Sequence, residues 1–386
     1  MSTPHHHSIQ IDAAIIGGGI AGLWLLNLLT KRGYNVVLLE RDALGCDQTL
    51  ASQGMIHGGM KYALAGALSG ASEAIADMPA RWRRCIAGAD DVDLTGVRLL
   101  SDVYYMFAAS LAGKFASLAG ARALRGRIDK LDSQHWPEAF SGFSGTVYQL
   151  NDFVVDTGSL LGCLIAGHEH RAFSMHADSE RISSSDERYV VHLDDVDLHA
   201  AHLISCAGNG ASQLLESLNV PNVEVQQRPL KQVIAYPQHN VRLFGHCLTN
   251  LSTSEPRLTI TTHEQDGLIV WYMGGQLASS GVNQDDAVQI ANARADLERY
   301  VGWLDWSETE FAVKWVNRAE PMQTSGLKPD EAFVQREGNF IQCFPTKLTL
   351  APDMGDKLLN AIGPPAYNDE LRSTHPRAHI GHPPWS

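Results

Sequence analysis

The stretch Ile11-Asp12-Ala13-Ala14-Ile15-Ile16-Gly17-Gly18-Gly19-Ile20-Ala21-Gly22, with Tyr34-Asn35-Val36-Val37-Leu38-Leu39-Glu40-Arg41 following it, decides the fold. The first apolar run reads as a buried strand, and the glycines behind it as a tight turn. Leu23 to Lys31 has helical character, and Arg32-Gly33 ends it. The second apolar run is again strand-like. Strand, glycine turn, helix, strand is a βαβ unit. Gly17 permits the turn, Gly19 lets backbone N–H groups approach a pyrophosphate, and Gly22 lets the helix pack on the sheet. Ile20 and Ala21 begin the helix whose N-terminus faces that anion. Glu40 ends the second strand about 20 residues after Gly19, where a carboxylate accepts from a ribose hydroxyl and repels a 2′-phosphate. The alternative is a strand–helix turn with no ligand.

Three features favour FAD over NAD as the dinucleotide. The βαβ unit stands at the N-terminal end of the sequence. Arg41 follows the acid, a frequent continuation in flavoprotein folds. The segment Thr49 to Tyr62 is then a glycine-rich loop, where an NAD dehydrogenase would continue with another regular βα unit. Further on, Leu203-Ile204-Ser205-Cys206-Ala207-Gly208 is an apolar strand ending in small residues, which returns the chain to the cofactor sheet and allows close backbone contact there. No second G-x-G-x-x-G stands in a βαβ setting, so no NAD(P)H site is visible and the organic substrate is expected to be the reductant.

Composition narrows the partners. The chain has 386 residues, 44% of them apolar and 19% charged, enough for a large core in one or two domains. Its net charge of −13 disfavours nucleic acid and anionic membrane surfaces. The six cysteines form no C-x-x-C and read as reduced, mostly buried thiols rather than a disulfide framework or zinc site. No apolar run reaches the roughly 20 residues of a transmembrane helix, and no leader is visible. A cytoplasmic protein is expected, or one peripheral to the inner membrane if quinone-linked. His5-His6-His7 reads as a frayed end, with no metal site. Helices are expected over 62–88, Lys114–Arg127, Asp156–Ala166, Gln284–Val301 and Asp353–Ala361. A mostly antiparallel sheet is expected over 225–282. The tail from Gly363 to Ser386, rich in Pro and His, is expected to lie extended over the surface or disordered.

The fingerprint, the string Ser52-Gln53-Gly54-Met55-Ile56-His57-Gly58-Gly59-Met60-Lys61-Tyr62, the strand ending in Cys206-Ala207-Gly208, and Thr346-Lys347-Leu348-Thr349 together resemble the D-amino-acid oxidase superfamily of FAD-dependent oxidoreductases. The His-Gly-Gly and Lys-Leu-Thr strings are most similar to FAD-linked glycerol-3-phosphate dehydrogenases and 2-hydroxyglutarate oxidases. The resemblance runs from residue 11 to about 361. It implies an α/β protein: a Rossmann-like, three-layer FAD domain assembled from 10–85, 151–224 and 335–362, and a discontinuous α+β substrate domain, 86–150 and 225–334, on a mixed, largely antiparallel sheet.

Carried over by residue, the resemblance places Ser52, Gln53 and Gly54 along the pyrophosphate and flavin, with Ala207 and Gly208 at the cofactor sheet. It places His57, Gly58 and Gly59 beside the isoalloxazine, and Lys347, Leu348 and Thr349 at the flavin pyrimidine edge. A lysine there suits the negative charge of reduced flavin. Trp315-Val316-Asn317-Arg318 is similar to a stretch whose arginine clamps a substrate carboxylate. Here Ala319-Glu320 separate Arg318 from Pro321, so an arginine paired with Glu320 is the alternative. His57 reads as a base, a covalent flavin attachment point or a polar packing residue. Tyr62, Tyr272 and Lys61 are weaker pocket candidates. The expected activity is oxidation of a small polar, anionic substrate at a CH–OH carbon by hydride transfer to flavin. Amine or amino-acid oxidation is the alternative, and a non-catalytic FAD subunit a third reading. Oxygen, a quinone or a partner protein would accept the electrons. Nothing in the sequence reports the oligomeric state.

Overall fold

The structure is a computed structural model in which residues 7–59, 75–109, 128–185, 188–249, 255–322 and 331–386 are described. The expected βαβ unit is β1 (His7–Ile16), α1 (Ile20–Lys31) and β2 (Val36–Glu40). β1 lies between two parallel neighbours, β2 and the strand Val196–Ser205. β2 pairs in parallel with Ala172–Ser174. Phe340–Phe344 comes back from the far end of the chain and lies parallel to the last part of Val196–Ser205. Ile182–Ser185 and Arg188–His192 extend the sheet antiparallel beside the first part of that strand. The parallel strands therefore end along one rim, the side on which such sheets bind ligands.

α1 has no polar face. Its residues from Ile20 to Leu26, with Leu28 and Leu29, are all buried, because the sheet covers one side and other helices the rest. Trp24 meets Trp82 of the helix Met78–Ile86 with ring centroids 5.1 Å apart. A Cβ on Gly355 would stand 2.7 Å from Leu28 Cδ2, so that glycine sets how closely the helix Ala351–Ala361 approaches α1. At roughly 1.5–3 kcal/mol per fully buried large aliphatic side chain, this cluster is a main source of stability.

The second sheet takes its eight strands from 104–150 and 225–321. It is antiparallel throughout, except where Gly245–Cys247 runs parallel to Tyr104–Ala108. Ala293, Leu297 and Val301, on and just beyond the helix Asp286–Tyr300, pack on it with Trp271 and Trp306. A small sheet of Met55–Ile56, Phe153–Val155 and Leu99–Ser101 lies beside the loop carrying His57.

Most expected elements are present with shifted ends. The antiparallel sheet reaches Pro321, and the helix expected from Gln284 spans Asp286–Tyr300. Within 62–88 the described helix is Met78–Ile86. The remainder up to residue 74, and Lys114–Arg127, lie outside the described residues. His7 does not fray, since it pairs with Val196 in β1, whereas His5 and His6 lie outside the description.

Of the two readings of the tail, extended or disordered, the structure has the extended one, docked on the body of the protein. Ser174 N–H donates to Pro376 O, Ala378 N–H to Ala172 O and Leu44 N–H to His379 O. The tail therefore adds alongside the edge strand Ala172–Ser174 of the first sheet, and Trp385 is buried. Prolines, which need no N–H partner, suit such an edge. Composition alone could not show this docking. Among the described residues, no helix is long and apolar enough to cross a membrane.

Candidate active site

A cleft opens where the ends of the parallel strands meet the second sheet. One wall is the Gly17-Gly18-Gly19 turn, Glu40, the loop 45–49 and Ala207-Gly208. The other comes from Leu230, Gln232, Gly274, Val316 and Arg318, and the segment Cys343–Leu348 also lines the cleft.

The glycine turn is tight for reasons seen in the geometry. Gly17 has φ +105°, and a Cβ on it would lie 2.4 Å from Cys206 O. A Cβ on Gly22 would lie 1.9 Å from Gly17 O, so only glycine allows the first turn of α1 to sit on the loop. Gly19 differs. Its φ is −78°, and a Cβ would meet only Thr49 Oγ1, at 3.2 Å. The space before it belongs to the cleft. Ile20 N–H donates to Thr49 Oγ1 at 2.9 Å, and Thr49 is buried. Thr49 thus satisfies one donor at the start of α1, a role the sequence reading missed because its partner lies 29 residues away.

Glu40 is held in place. Oε2 accepts from Gly18 N–H at 2.5 Å, and Oε1 accepts from Asp42 N–H at 2.9 Å. Each oxygen keeps a further lone pair, as ribose recognition requires. Arg41 also lines the cleft, paired with Asp42 at 2.9 Å. Burial pushes the Asp47 carboxyl up from its ordinary pKa, while Asn209 Nδ2 donates to it at 2.6 Å and opposes that shift. A helix N-terminus, a glycine cradle and an acid at the end of β2 form a donor and acceptor set that fits FAD. Gly17, Gly19, Ile20, Ala21 and Glu40 would hold the dinucleotide.

The loop after the fingerprint divides its roles. Ser52, Gln53 and Gly54 line the cleft. The Gln53 side chain reaches away, with Nε2 donating to Thr259 O at 2.8 Å and Tyr272 O at 3.0 Å, which ties the loop to the second sheet. His57 is buried and lines the cleft. Its Nδ1 accepts from Gly59 N–H at 3.2 Å, so the neutral ring carries its proton on Nε2. Thr349 Oγ1 accepts from His57 N–H at 3.3 Å and donates to His57 O at 3.2 Å. Thr349 is fully buried and positions His57 from behind. Lys347 and Leu348 line the cleft. Thr346 before them adopts φ +60°, a conformation costing a non-glycine residue on the order of 1 kcal/mol, and its hydroxyl is anchored on Glu331 O at 2.9 Å. Such local strain is frequent beside ligands.

Of the substrate candidates, Arg318 lines the cleft. It faces Arg228 in the strand register, and the Glu320 carboxylate is held by Arg228 Nε at 2.6 Å and Gln226 Nε2 at 3.2 Å. Tyr272 does not reach the cleft. It is fully buried, and its hydroxyl is engaged with Gln232 Oε1 at 2.5 Å and Ala51 O at 3.0 Å. Burial holds that phenol well above its usual pKa. Tyr62 and Lys61 lie outside the described residues. Gln48, Gln232 and Glu255 also line the cleft. No motif marks them, since only the docking of the two sheets brings them together.

Comparison with known proteins agrees with the cofactor reading. The family model described as FAD dependent oxidoreductase, DAO, matches residues 12–341. The probable FAD-dependent oxidoreductase PA4991 of Pseudomonas aeruginosa is 39% identical over 392 residues, covering 98% of each chain. Its crystal structure superposes with a TM-score of 0.82, at 35% identity over 98% of each chain. The fold is shared with glycine oxidase from Geobacillus kaustophilus, at 17% identity over 97% of this chain and all of that one, TM-score 0.63. It is shared also with L-alpha-glycerophosphate oxidase from Mycoplasma pneumoniae, at 14% identity over 91% and 94%, TM-score 0.64. With the glycine cradle, the held Glu40 and a match over most of its length, the chain belongs to the DAO family of FAD-dependent oxidoreductases.

Proposed function

We propose that this enzyme oxidises a small anionic substrate at a C–H bond whose carbon bears a hydroxyl. The supporting observation is that Arg318, Lys347 and His57, from three distant stretches of chain, line the same cleft as the dinucleotide fingerprint. When bound, FAD supplies the acceptor for a hydride. Arg318 offers a carboxylate or phosphate a two-pronged hydrogen bond. Lys347 lines the same cleft, and its positive charge suits the negative charge that reduced flavin would carry. A hydroxyl donor must also lose a proton. His57 can take it at Nε2 only by giving up the Nδ1 contact with Gly59 N–H.

That contact favours a second reading, oxidation of an amine. A neutral amine assists hydride loss with its own lone pair and needs no base from the protein. Anaerobic titration with matched pairs, a hydroxy acid and the amino acid of the same skeleton, together with polyol phosphates, separates the two. Bleaching of the flavin band by a hydroxy acid or polyol phosphate alone is expected. Bleaching by the amino acid alone establishes the second reading, and equal bleaching by uncharged alcohols removes the anionic part.

A further inference from the structure

The last residues of the chain lie far from the fingerprint in sequence, yet they press on the wall that faces the cofactor. Trp385 is 5% exposed and packs with Ile234, Val270 and Tyr272. Its ring lies 3.9 Å from the ring of His263 and 5.2 Å, edge to face, from that of Tyr272. Burial lowers the His263 pKa to about 3, so this neighbour is a neutral ring at ordinary pH. Tyr272 passes the contact on. Its hydroxyl shares its one proton between Ala51 O and Gln232 Oε1, and its carbonyl accepts from Gln53 Nε2. Ala51, Gln53 and Gln232 all line the cleft. The rest of the tail fixes where the tryptophan arrives: Leu44 donates to His379 O and accepts from Gly381 N–H, which clamps the tail to a loop of the same cleft.

We propose that Trp385 is a positioning residue for the FAD site, acting through Tyr272 on the loop Ala51–Gln53. The ring holds the phenol against Ala51 O and Gln232, and so fixes a loop whose backbone faces the cofactor. A side chain next to the last described residue thereby helps retain a cofactor bound at the first βαβ unit.

The test measures FAD dissociation constants by fluorescence quenching on apoprotein, and apoprotein melting in parallel. Trp385→Ala is expected to weaken FAD binding about tenfold, the scale of one lost buried aromatic contact. Trp385→Phe, which keeps a ring, is expected to stay within about threefold. Tyr272→Phe is expected to weaken binding as well, and the double variant Trp385→Ala/Tyr272→Phe no more than the worse single change. If Trp385→Ala yields no soluble protein, Trp385→Leu, which keeps the bulk, takes its place. Unchanged FAD affinity with a lowered apoprotein Tm would show a purely structural tryptophan and overturn the proposal. Additive effects of the two changes would overturn the route through Tyr272.

Discussion

Gly22→Val is expected to give no stably folded protein, whereas Gly19→Val is expected to fold and purify colourless. The two glycines share one fingerprint but face different obstacles. At position 22 a Cβ would overlap the carbonyl of Gly17 at 1.9 Å. The carbonyl is backbone in a turn that Cys206 also closes, and the Cβ position is fixed by the backbone of α1, so neither can yield. Overpacking a core costs about 1–3 kcal/mol when side chains can adjust, and more when they cannot. A domain holds only about 5–15 kcal/mol of stability in total. At position 19 a Cβ meets only the Thr49 hydroxyl, 3.2 Å away, at a φ that any residue adopts. Stability should fall by less than about 1 kcal/mol. The valine methyls would, however, stand where the N-terminal N–H groups of α1 meet the dinucleotide, and FAD affinity should drop by a hundredfold or more, about 2.7 kcal/mol. Urea denaturation and the flavin-to-protein absorbance ratio measure the two effects separately. A yellow Gly19→Val protein would remove the pyrophosphate from this turn.

Arg318→Ala and Lys347→Met are expected to fail in different ways. Arg318 lies on the wall built by the second sheet. Losing a charged two-pronged hydrogen bond removes about 1.5–3 kcal/mol, which raises KM by one to two decades at ~1.4 kcal/mol per decade. The flavin spectrum and potential should stay nearly unchanged, and Arg318→Lys should recover only part of the loss, since a point charge does not reproduce the fork. Lys347 lies at the start of the turn leading to Ala351–Ala361, beside the strained Thr346. Lys347→Met should lower the flavin reduction potential and slow reduction by every donor alike. Photoreduction with a reference dye gives the potential, and stopped-flow reduction gives the rate. An Arg318→Ala enzyme with wild-type KM would make Arg318 a structural residue and take the anionic substrate with it.

The parts of this site legible in the sequence are those whose causes are local. Gly17, Gly22 and Glu40 act within one βαβ unit, so spacing alone reveals them, and the structure supplies the overlaps and hydrogen bonds that explain the spacing. The strand ending at Cys206-Ala207-Gly208 is legible because small residues mark a close backbone approach. Gln53 and Tyr272 show where local reading stops. Both belong to suggestive stretches, but their partners come from the docking of one sheet on the other. Gln53 therefore turns its amide to Thr259 and Tyr272, and the Tyr272 phenol is spent on Ala51 and Gln232. Thr49 carries no mark, since its partner Ile20 lies in another element. The tail misleads by composition: Pro and His residues look solvated, while backbone hydrogen bonds to Leu44, Ala172 and Ser174 fix the segment and bury Trp385.

A small organic substrate, and no nicotinamide, is expected to deliver its electrons to the FAD of this cleft. Anaerobic stopped-flow mixing of the purified yellow enzyme with its best donor, and separately with NADH and NADPH, tests it most directly. Full bleaching of the flavin band by the donor is expected, slowed in Lys347→Met and shifted to higher donor concentration in Arg318→Ala, with no comparable reduction by either nicotinamide. Rapid, stoichiometric bleaching by NADH or NADPH alone, unaffected by Arg318→Ala, would contradict it.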